Sequence, residues 1–248
     1  MIAYGELGVL QVSVITLNNI SKTYKRGLKQ KIVAVKKLNL RVEYGEIFGF
    51  VGPNGAGKST TIKIMMGLIF PDAGEVQLLG MPYTQPAARR KVGFVPEQPV
   101  LYDHLSGEEF LYFAGALYGL SPKELKNRVW QLMELVGLKE AGKRRLRSYS
   151  KGMQQRLVIA QALIADPELI VMDEPLSGLD PVARMEIMDL IKSLREQKKT
   201  IFFSSHILHD VEMVCDRVAL LVKGELRFLG TPHSIEETFR RELQECAS

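Results

Sequence analysis

The chain has 248 residues, and its 46% hydrophobic and 25% charged residues are ordinary proportions for a soluble globular protein. Its 33 Lys and Arg residues and 28 Asp and Glu residues give a net charge of +5, which by itself selects no class of partner. The longest apolar runs are far shorter than the roughly 20 residues that span a bilayer. Composition therefore argues against a membrane-spanning helix and allows a substantial buried core.

The cysteines and the first residues indicate the cellular compartment. Cys215 and Cys246 show neither metal-ligand spacing nor the pattern of a disulfide framework. Residues 1–6 lack the positively charged start of a secretory signal. We therefore expect a cytosolic protein with two reduced thiols.

Short apolar runs alternate with longer amphipathic stretches, which predicts an α/β fold with a largely parallel sheet. Residues 12–17 and 37–42 alternate apolar and polar side chains, as half-exposed strands of an antiparallel sheet do. Residues 218–222 and 226–229 flank a Lys-Gly-Glu turn and predict a hairpin. Four continuous apolar runs predict strands buried on both faces, at residues 47–51, 92–95, 169–172 and 201–204.

A mainly helical stretch interrupts this pattern at about residues 96–156. Ser106 and Ser121 each begin a capping-box sequence, and Pro122 occupies a favourable first helical position. We therefore predict a helical insertion within an α/β core.

We predict a single domain over residues 12–238, whose core comprises residues 12–95 and 157–238. A short helix capped by Ser234 would close the domain, and residues 239–248 would form a C-terminal tail.

Residues 52–59, with the sequence GPNGAGKS, match the phosphate-loop pattern at every fixed position and stand between a strand and a helix. Glycines let the backbone N–H groups point at phosphate oxygens, and the positive end of the helix attracts the same anion. Lys58 is expected to contact the β- and γ-phosphates, and the Ser59 hydroxyl to bind Mg²⁺. The predicted nucleotide-binding residues of this loop are Gly52, Pro53, Asn54, Gly55, Ala56, Gly57, Lys58, Ser59 and Thr60.

Two acids follow the buried strand at 169–172. In an open parallel sheet, ligands bind at the carboxyl ends of the strands. Asp173 is expected to join Ser59 in holding Mg²⁺, and Glu174 to orient the water that attacks the γ-phosphate.

With these motifs in place, the sequence resembles the nucleotide-binding domain of ATP-binding-cassette (ABC) transporters from about residue 14 to residue 239. The resemblance implies a P-loop NTPase-type core with a mainly parallel sheet, an N-terminal antiparallel β subdomain and an inserted helical subdomain. It also implies that the chain binds and hydrolyses ATP with Mg²⁺, and couples this to substrate movement through a separate transmembrane partner.

The resemblance adds three site residues. Tyr24 would stack on adenine, which suits an aromatic face. Gln98 would contact Mg²⁺ and the attacking water, whereas the neighbouring Glu97 is interpreted as a solvated loop acid. His206 would hydrogen-bond the γ-phosphate. The implied catalytic set is Glu174, His206, Gln98 and Lys58, and the implied metal set is Ser59, Gln98 and Asp173.

Residues 148–156, SYSKGMQQR, resemble the family signature LSGGQ in part. Ser150 and Gly152 match it, and Tyr149, Lys151 and Met153 depart from it. The matching residues would contact the γ-phosphate held by a second subunit, at the start of a helix running through residue 164. Such variants are typical of the branch that exports drugs, lipids or polysaccharides, which favours export.

The resemblance also implies the partners. A second ABC ATPase subunit, identical or homologous, would dock head to tail, with residues 177–180 facing the dimer. Residues 100–106 and the stretch from Phe110 onward would receive a short helix of a transmembrane permease, with the chain on the cytoplasmic face. No nucleic acid is expected.

Two alternatives remain open. One is a soluble ABC ATPase serving assembly or regulation; the chain lacks the second cassette of a translation factor and the coiled coil of a DNA-repair ATPase. The other is a binding module without hydrolysis, which Glu174 and His206 argue against and the altered signature allows.

Overall fold

The computed structural model describes residues 13–26, 30–235 and 238. Within those residues, ten strands form two sheets and seven α-helices surround them. The strands are β1 (Ser13–Arg26), β2 (Gln30–Glu43), β3 (Ile47–Val51), β4 (Ala73–Leu78), β5 (Met81–Pro82), β6 (Val92–Val95), β7 (Leu169–Met172), β8 (Thr200–Ser205), β9 (Arg217–Val222) and β10 (Glu225–Gly230). The helices are α1 (Lys58–Met65), α2 (Pro86–Arg90), α3 (Gly107–Leu117), α4 (Pro122–Leu135), α5 (Lys151–Ala162), α6 (Pro181–Glu196) and α7 (Leu208–Val214).

The main sheet has the order β10-β9-β3-β8-β7-β6, and all neighbours are parallel except β10 and β9. Its central strands are continuously apolar because both faces are covered. Phe48 and Phe202 stack at 5.7 Å in the core on one face, while Ile201 and Phe203 belong to the core on the other. The predicted α/β fold with a mainly parallel sheet is confirmed.

The smaller sheet, β2-β1-β4-β5, is antiparallel throughout, as predicted for the N-terminal part. Its first two strands are longer than predicted, because β-bulges on either side of Ile20 let β1 continue past the polar residues that interrupt the alternation. Residue 12 lies outside the described part. Strands β4 and β5 were not predicted; β4 begins with three exposed residues, so its pattern is weak.

The predicted hairpin joins β9 to β10. Its turn contains two residues instead of the predicted three, because Glu225 already pairs with Val222. Lys223 and Gly224 both have positive φ (49° and 83°), as a tight hairpin turn requires. The N–H of Gly224 donates to the carbonyl oxygen of Ala56 at 2.9 Å, so the turn braces the loop before α1.

The helical insertion lies between β6 and β7, where it was predicted. Both capping boxes are confirmed. The hydroxyls of Ser106 and Ser121 accept from the backbone N–H of Glu109 and Glu124, respectively, and each glutamate side chain accepts from the backbone N–H of its serine. Helix α5 runs unbroken across the predicted boundary at 156/157 and ends at Ala162 rather than at residue 164. The domain boundaries themselves stay a prediction.

The predictions for the C-terminal end are tested only in part. Ser234 closes a short 3₁₀ turn, Pro232–Ser234; the helix predicted after it lies outside the described residues except for position 238, and so do the tail at 239–248 and Cys246. Cys215 is partly buried beside Gly49, and desolvation raises the pKa of its thiol. In the described ranges, no helix combines the length and apolar character needed to cross a membrane.

Candidate functional site

A cleft of about 330 Å³ opens at the carboxyl edge of the main sheet. The loop between β3 and α1 forms its floor, and the ends of β7 and β8 form one wall. The lining residues are Ile32, Ala34, Asn54, Gly55, Ala56, Gly57, Lys58, Ser59, Thr60, Glu97, Glu174, Ser177 and His206. The cleft therefore brings together most of the predicted phosphate loop with the carboxylate of Glu174 and the imidazole of His206, which come from distant parts of the sequence.

Glycine is required in this loop because the backbone turns tightly against its neighbours. Gly57 has a φ of 107° and precedes α1, which has no side-chain N-cap. A Cβ at Gly57 would lie 2.1 Å from the carbonyl oxygen of Ala34, and one at Gly52 would lie 2.1 Å from that of Leu221. The first N–H groups of α1 have no intrahelical acceptor, so they can donate to an anion in the cleft.

Lys58 places a buried positive charge at the centre of the loop. Its ammonium donates to the carbonyl oxygens of Gly52 (2.7 Å) and Pro53 (3.3 Å), and lies 3.2 Å from Glu174 Oε1. Only 5% of its side chain is exposed. A buried ammonium is costly without an anionic partner, and a phosphate group is an anion that can serve as that partner.

Ser59 and Asp173 meet beside this charge. The Ser59 hydroxyl donates to Asp173 Oδ1 at 3.2 Å, although the residues are 114 positions apart. Asp173 is almost fully buried. A hydroxyl and a carboxylate oxygen at this distance are ligands of the kind that Mg²⁺ prefers.

The carboxylate of Glu174 lies between the ammonium of Lys58 and the imidazole of His206. Its Oε1 pairs with Lys58, and its Oε2 lies 2.8 Å from Nδ1 of His206. Glu174 also has a φ of 49°, an uncommon conformation for a residue with a side chain. A positive φ at the end of a buried strand turns the carboxylate into the cleft.

Two polar groups that sequence reasoning missed support this arrangement. The hydroxyl of Ser204, on β8, donates to Asp173 Oδ1 at 2.7 Å and accepts from the N–H of Glu174 at 2.9 Å. Ser204 is fully buried. Its place in an apolar strand was the available signal, because buried hydroxyls have partners.

The second missed group supports the segment after His206. Asp210, on α7, is buried and forms an ion pair with Arg184 of α6 at 3.0 Å. It also accepts from the Ser205 hydroxyl at 3.3 Å. Burial raises the pKa of Asp210, while Arg184 opposes that shift. The contacts tie α6 and α7 to the end of β8.

Tyr24 and Gln98 do not line the cleft. Tyr24 is 39% exposed on β1, and it pairs across the strands with Ile32, which does line it. Gln98 is exposed on the loop after β6, whereas its neighbour Glu97 lines the cleft. Their predicted roles stay predictions.

Ser150 and Gly152 lie at the start of α5, also outside the cleft lining. Ser150 caps α5 by accepting from the N–H of Met153 at 3.2 Å. Two of the three departures from the family signature, Tyr149 and Lys151, make local contacts. The hydroxyl of buried Tyr149 donates to the carbonyl oxygen of Ala141 (2.8 Å), and the ammonium of Lys151 covers Gly178.

The chain is similar in sequence to a known family and to several of its members. Residues 35–177 match the family described as ABC transporter. An uncharacterized ABC transporter ATP-binding protein of Synechocystis is 47% identical over 93% of this chain and 66% of its own length. The linearmycin resistance ATP-binding protein of Bacillus subtilis is 40% identical, over 86% and 68%. The Nod factor export ATP-binding protein I of Cupriavidus metallidurans is 38% identical, over 90% and 73%.

Two solved structures are similar throughout. The ATP-binding cassette MJ0796, in a dimeric post-hydrolysis state bound to ADP and Pi, is 29% identical, with a TM-score of 0.79 over 88% of this chain and 98% of that one. CbiO1 of Clostridium perfringens, part of the ABC transporter complex cbiONQ, is 25% identical, with a TM-score of 0.81 over 94% of each chain.

The chain therefore belongs to the ABC transporter family. Its relatives within that family are named as ATP-binding proteins, and its fold is that of a solved ATP-binding cassette. It spans 66% of the length of the Synechocystis relative, slightly less than two thirds.

The cleft fits both ATP and Mg²⁺. Lys58 is buried with a carboxylate as its anionic partner, a place that a phosphate group can take. The oxygens of Ser59 and Asp173 already converge at hydrogen-bond distance, which suits a hard cation.

The tight packing beneath the loop generates a prediction. Gly57→Ala should weaken ATP binding by about tenfold or more, because the added methyl group must displace the backbone of Ala34. Gly80→Ala is the matched control: Gly80 also has a positive φ (74°), but its Cβ would meet no atom within 4 Å. It should cost about 1 kcal/mol of stability and leave ATP affinity unchanged. Calorimetric titration with ATP and thermal unfolding would measure both, and equal affinities for the two variants would contradict the packing argument.

Proposed function

We propose that this chain is the ATP-driven subunit of an exporter, which converts binding and hydrolysis of ATP into movement of a separate transmembrane subunit. The observation that carries the proposal is the convergence of Lys58, Glu174 and His206 at one sheet edge, with contacts of 3.2 Å and 2.8 Å. A phosphate anchor, a general base and a polar group for the γ-phosphate stand together there, as hydrolysis requires.

Nucleotide binding would begin at the loop. Lys58 would leave Glu174 and contact the β- and γ-phosphates, while the N–H groups of residues 57–60 donate to phosphate oxygens. Ser59 and Asp173 would hold Mg²⁺, with Gln98 joining from the loop after β6. The ion would offset negative charge on the phosphates. Tyr24 would stack on the adenine from the β1–β2 side of the cleft.

Hydrolysis would then use the carboxylate that Lys58 has released. Glu174 would orient the attacking water and accept a proton from it. The positive φ of Glu174 would keep the carboxylate in the cleft. His206, now relieved of Glu174, would hydrogen-bond the γ-phosphate.

A second ATPase subunit would complete each site. Ser150 and Gly152 lie outside their own cleft lining, which supports their use on a partner's nucleotide. Gly152 packs on Ala183 at the start of α6, beside Val182 and Met185, which are 69% and 64% exposed. Exposed apolar side chains next to these residues favour a protein interface. The partner would be a second copy or a homologue, and ATP would favour the closed pair.

The transmembrane subunit would dock on the helical insertion. Tyr102 and Phe113 pack edge to face, with ring centres 5.6 Å apart, yet each is 45% exposed. Val100 and Leu117 are exposed still further, at 83% and 75%. An apolar surface of this kind suits a short amphipathic helix and would hold the chain at the cytoplasmic face. The names of the linearmycin resistance and Nod factor export relatives favour export.

Removing the base tests the reaction. Glu174→Gln keeps the side-chain volume but removes the proton acceptor, so hydrolysis should fall by about 100-fold or more while ATP binding persists. ATP should then accumulate a closed dimer, detectable by light scattering. Glu140→Gln, an exposed site on the insertion, is the control and should hydrolyse ATP normally. Phosphate release by the Glu174 variant at the unaltered rate would remove Glu174 from the mechanism.

Polar substitution tests the docking surface. The double variant Tyr102→Ser/Phe113→Ser should lose association with its polytopic membrane partner in detergent, because the apolar contact is removed. Trp130→Ser is the matched control, since Trp130 is a similarly exposed aromatic residue (52%) on α4. The measurement is co-purification of that partner with each tagged variant. Equal recovery with both variants, or no membrane partner for the unaltered chain, would contradict the docking proposal.

A further inference from the structure

The hydroxyl of Ser204 forms hydrogen bonds with both acids of the candidate site at once. It donates to Asp173 Oδ1 at 2.7 Å and accepts from the backbone N–H of Glu174 at 2.9 Å. A serine hydroxyl has one proton to donate and lone pairs to accept with, so both bonds can form together. Ser204 is fully buried, so water does not compete for either bond.

The bond to Asp173 fixes the carboxylate toward the loop. Asp173 Oδ1 accepts hydrogen bonds from two hydroxyl groups, that of Ser204 at 2.7 Å and that of Ser59 at 3.2 Å. Ser59 comes from α1, whereas Ser204 comes from the neighbouring strand β8. The shorter contact comes from the strand, which is the more rigid of the two supports because it is paired on both sides.

The bond to Glu174 fixes its backbone. Glu174 has a φ of 49°, a conformation that relaxes unless its surroundings hold it. Its N–H points at the Ser204 hydroxyl, and its carboxylate reaches Lys58 and His206. Loss of the acceptor would leave that N–H buried without a partner, and the peptide would turn to find one.

We propose that Ser204 is a positioning residue that sets the metal-binding acid and the general base in one geometry. This inference rests on the proposed function, because it assigns Asp173 to Mg²⁺ and Glu174 to the attacking water. Ser204 does not line the cleft, and its hydroxyl contacts the two acids instead. Its effect should therefore appear in the chemical step and in the Mg²⁺ requirement rather than in nucleotide affinity.

A matched residue separates positioning from simple stabilisation. Thr200 lies at the opposite end of the same strand and is also fully buried. Its hydroxyl accepts a backbone N–H, that of Gly45, at 2.9 Å. Thr200→Val and Ser204→Ala thus each remove one buried hydroxyl from β8, but only the second removes it beside the acids.

The experiment compares Ser204→Ala, Ser204→Cys and Thr200→Val in the full chain. Ser204→Ala should lower kcat by about tenfold or more and raise the Mg²⁺ concentration for half-maximal activity, with ATP affinity in EDTA within about twofold of the unaltered chain. Ser204→Cys keeps a side chain of similar size with a weaker donor and acceptor. Its kcat should therefore lie between the kcat of Ser204→Ala and that of the unaltered chain. Thr200→Val should lower the unfolding temperature but keep kcat within about twofold.

Two results would overturn the inference while leaving the proposed function intact. One is that the unaltered chain hydrolyses ATP and Ser204→Ala has the same kcat and the same Mg²⁺ dependence. The other is an equal loss of kcat in Ser204→Ala and Thr200→Val, which would assign the effect to stability. An unaltered chain that binds no ATP would instead contradict the proposed function itself, and that outcome is visible before any variant is made.

Discussion

The ammonium of Lys58 is held almost out of contact with water by two loop carbonyls and the carboxylate of Glu174. Such a charge is tolerated only because the loop oxygens and a single acid surround it. The same acid is the group proposed to activate water, so the phosphate anchor and the base are paired in this structure. The proposed mechanism therefore couples the binding of a phosphate at Lys58 to the release of Glu174.

The fold supplies the positions that this exchange needs. Parallel strands β3, β7 and β8 end at one edge, which brings residues more than 100 positions apart within hydrogen-bond distance. The smaller sheet and the β9–β10 turn close the loop from behind, since Ala34 and Gly224 both contact it. The helical insertion shares one apolar core with the main sheet.

Sequence reasoning succeeded where neighbouring residues determine the structure. The phosphate loop between a strand and a helix and the capping boxes at Ser106 and Ser121 are short patterns whose geometry follows from a few adjacent side chains. The central strands were found because burial on both faces removes polar residues from them. The general fold followed from their order.

The misses share a different cause. Ser204 with Asp173, and Asp210 with Arg184, are pairs formed across the fold, and no local pattern predicts which strand or helix will face which. The extensions of β1 and β2 depend on bulges and on mutual pairing, not on alternation.

The exchange at Lys58 can be observed directly by a crystal structure of the chain with Mg²⁺ and a non-hydrolysable ATP analogue. The account predicts phosphate oxygens around the ammonium of Lys58 and a carboxylate of Glu174 that no longer pairs with it. A nucleotide bound in the cleft while Lys58 keeps Glu174 and contacts no phosphate, or a nucleotide bound elsewhere, would contradict it.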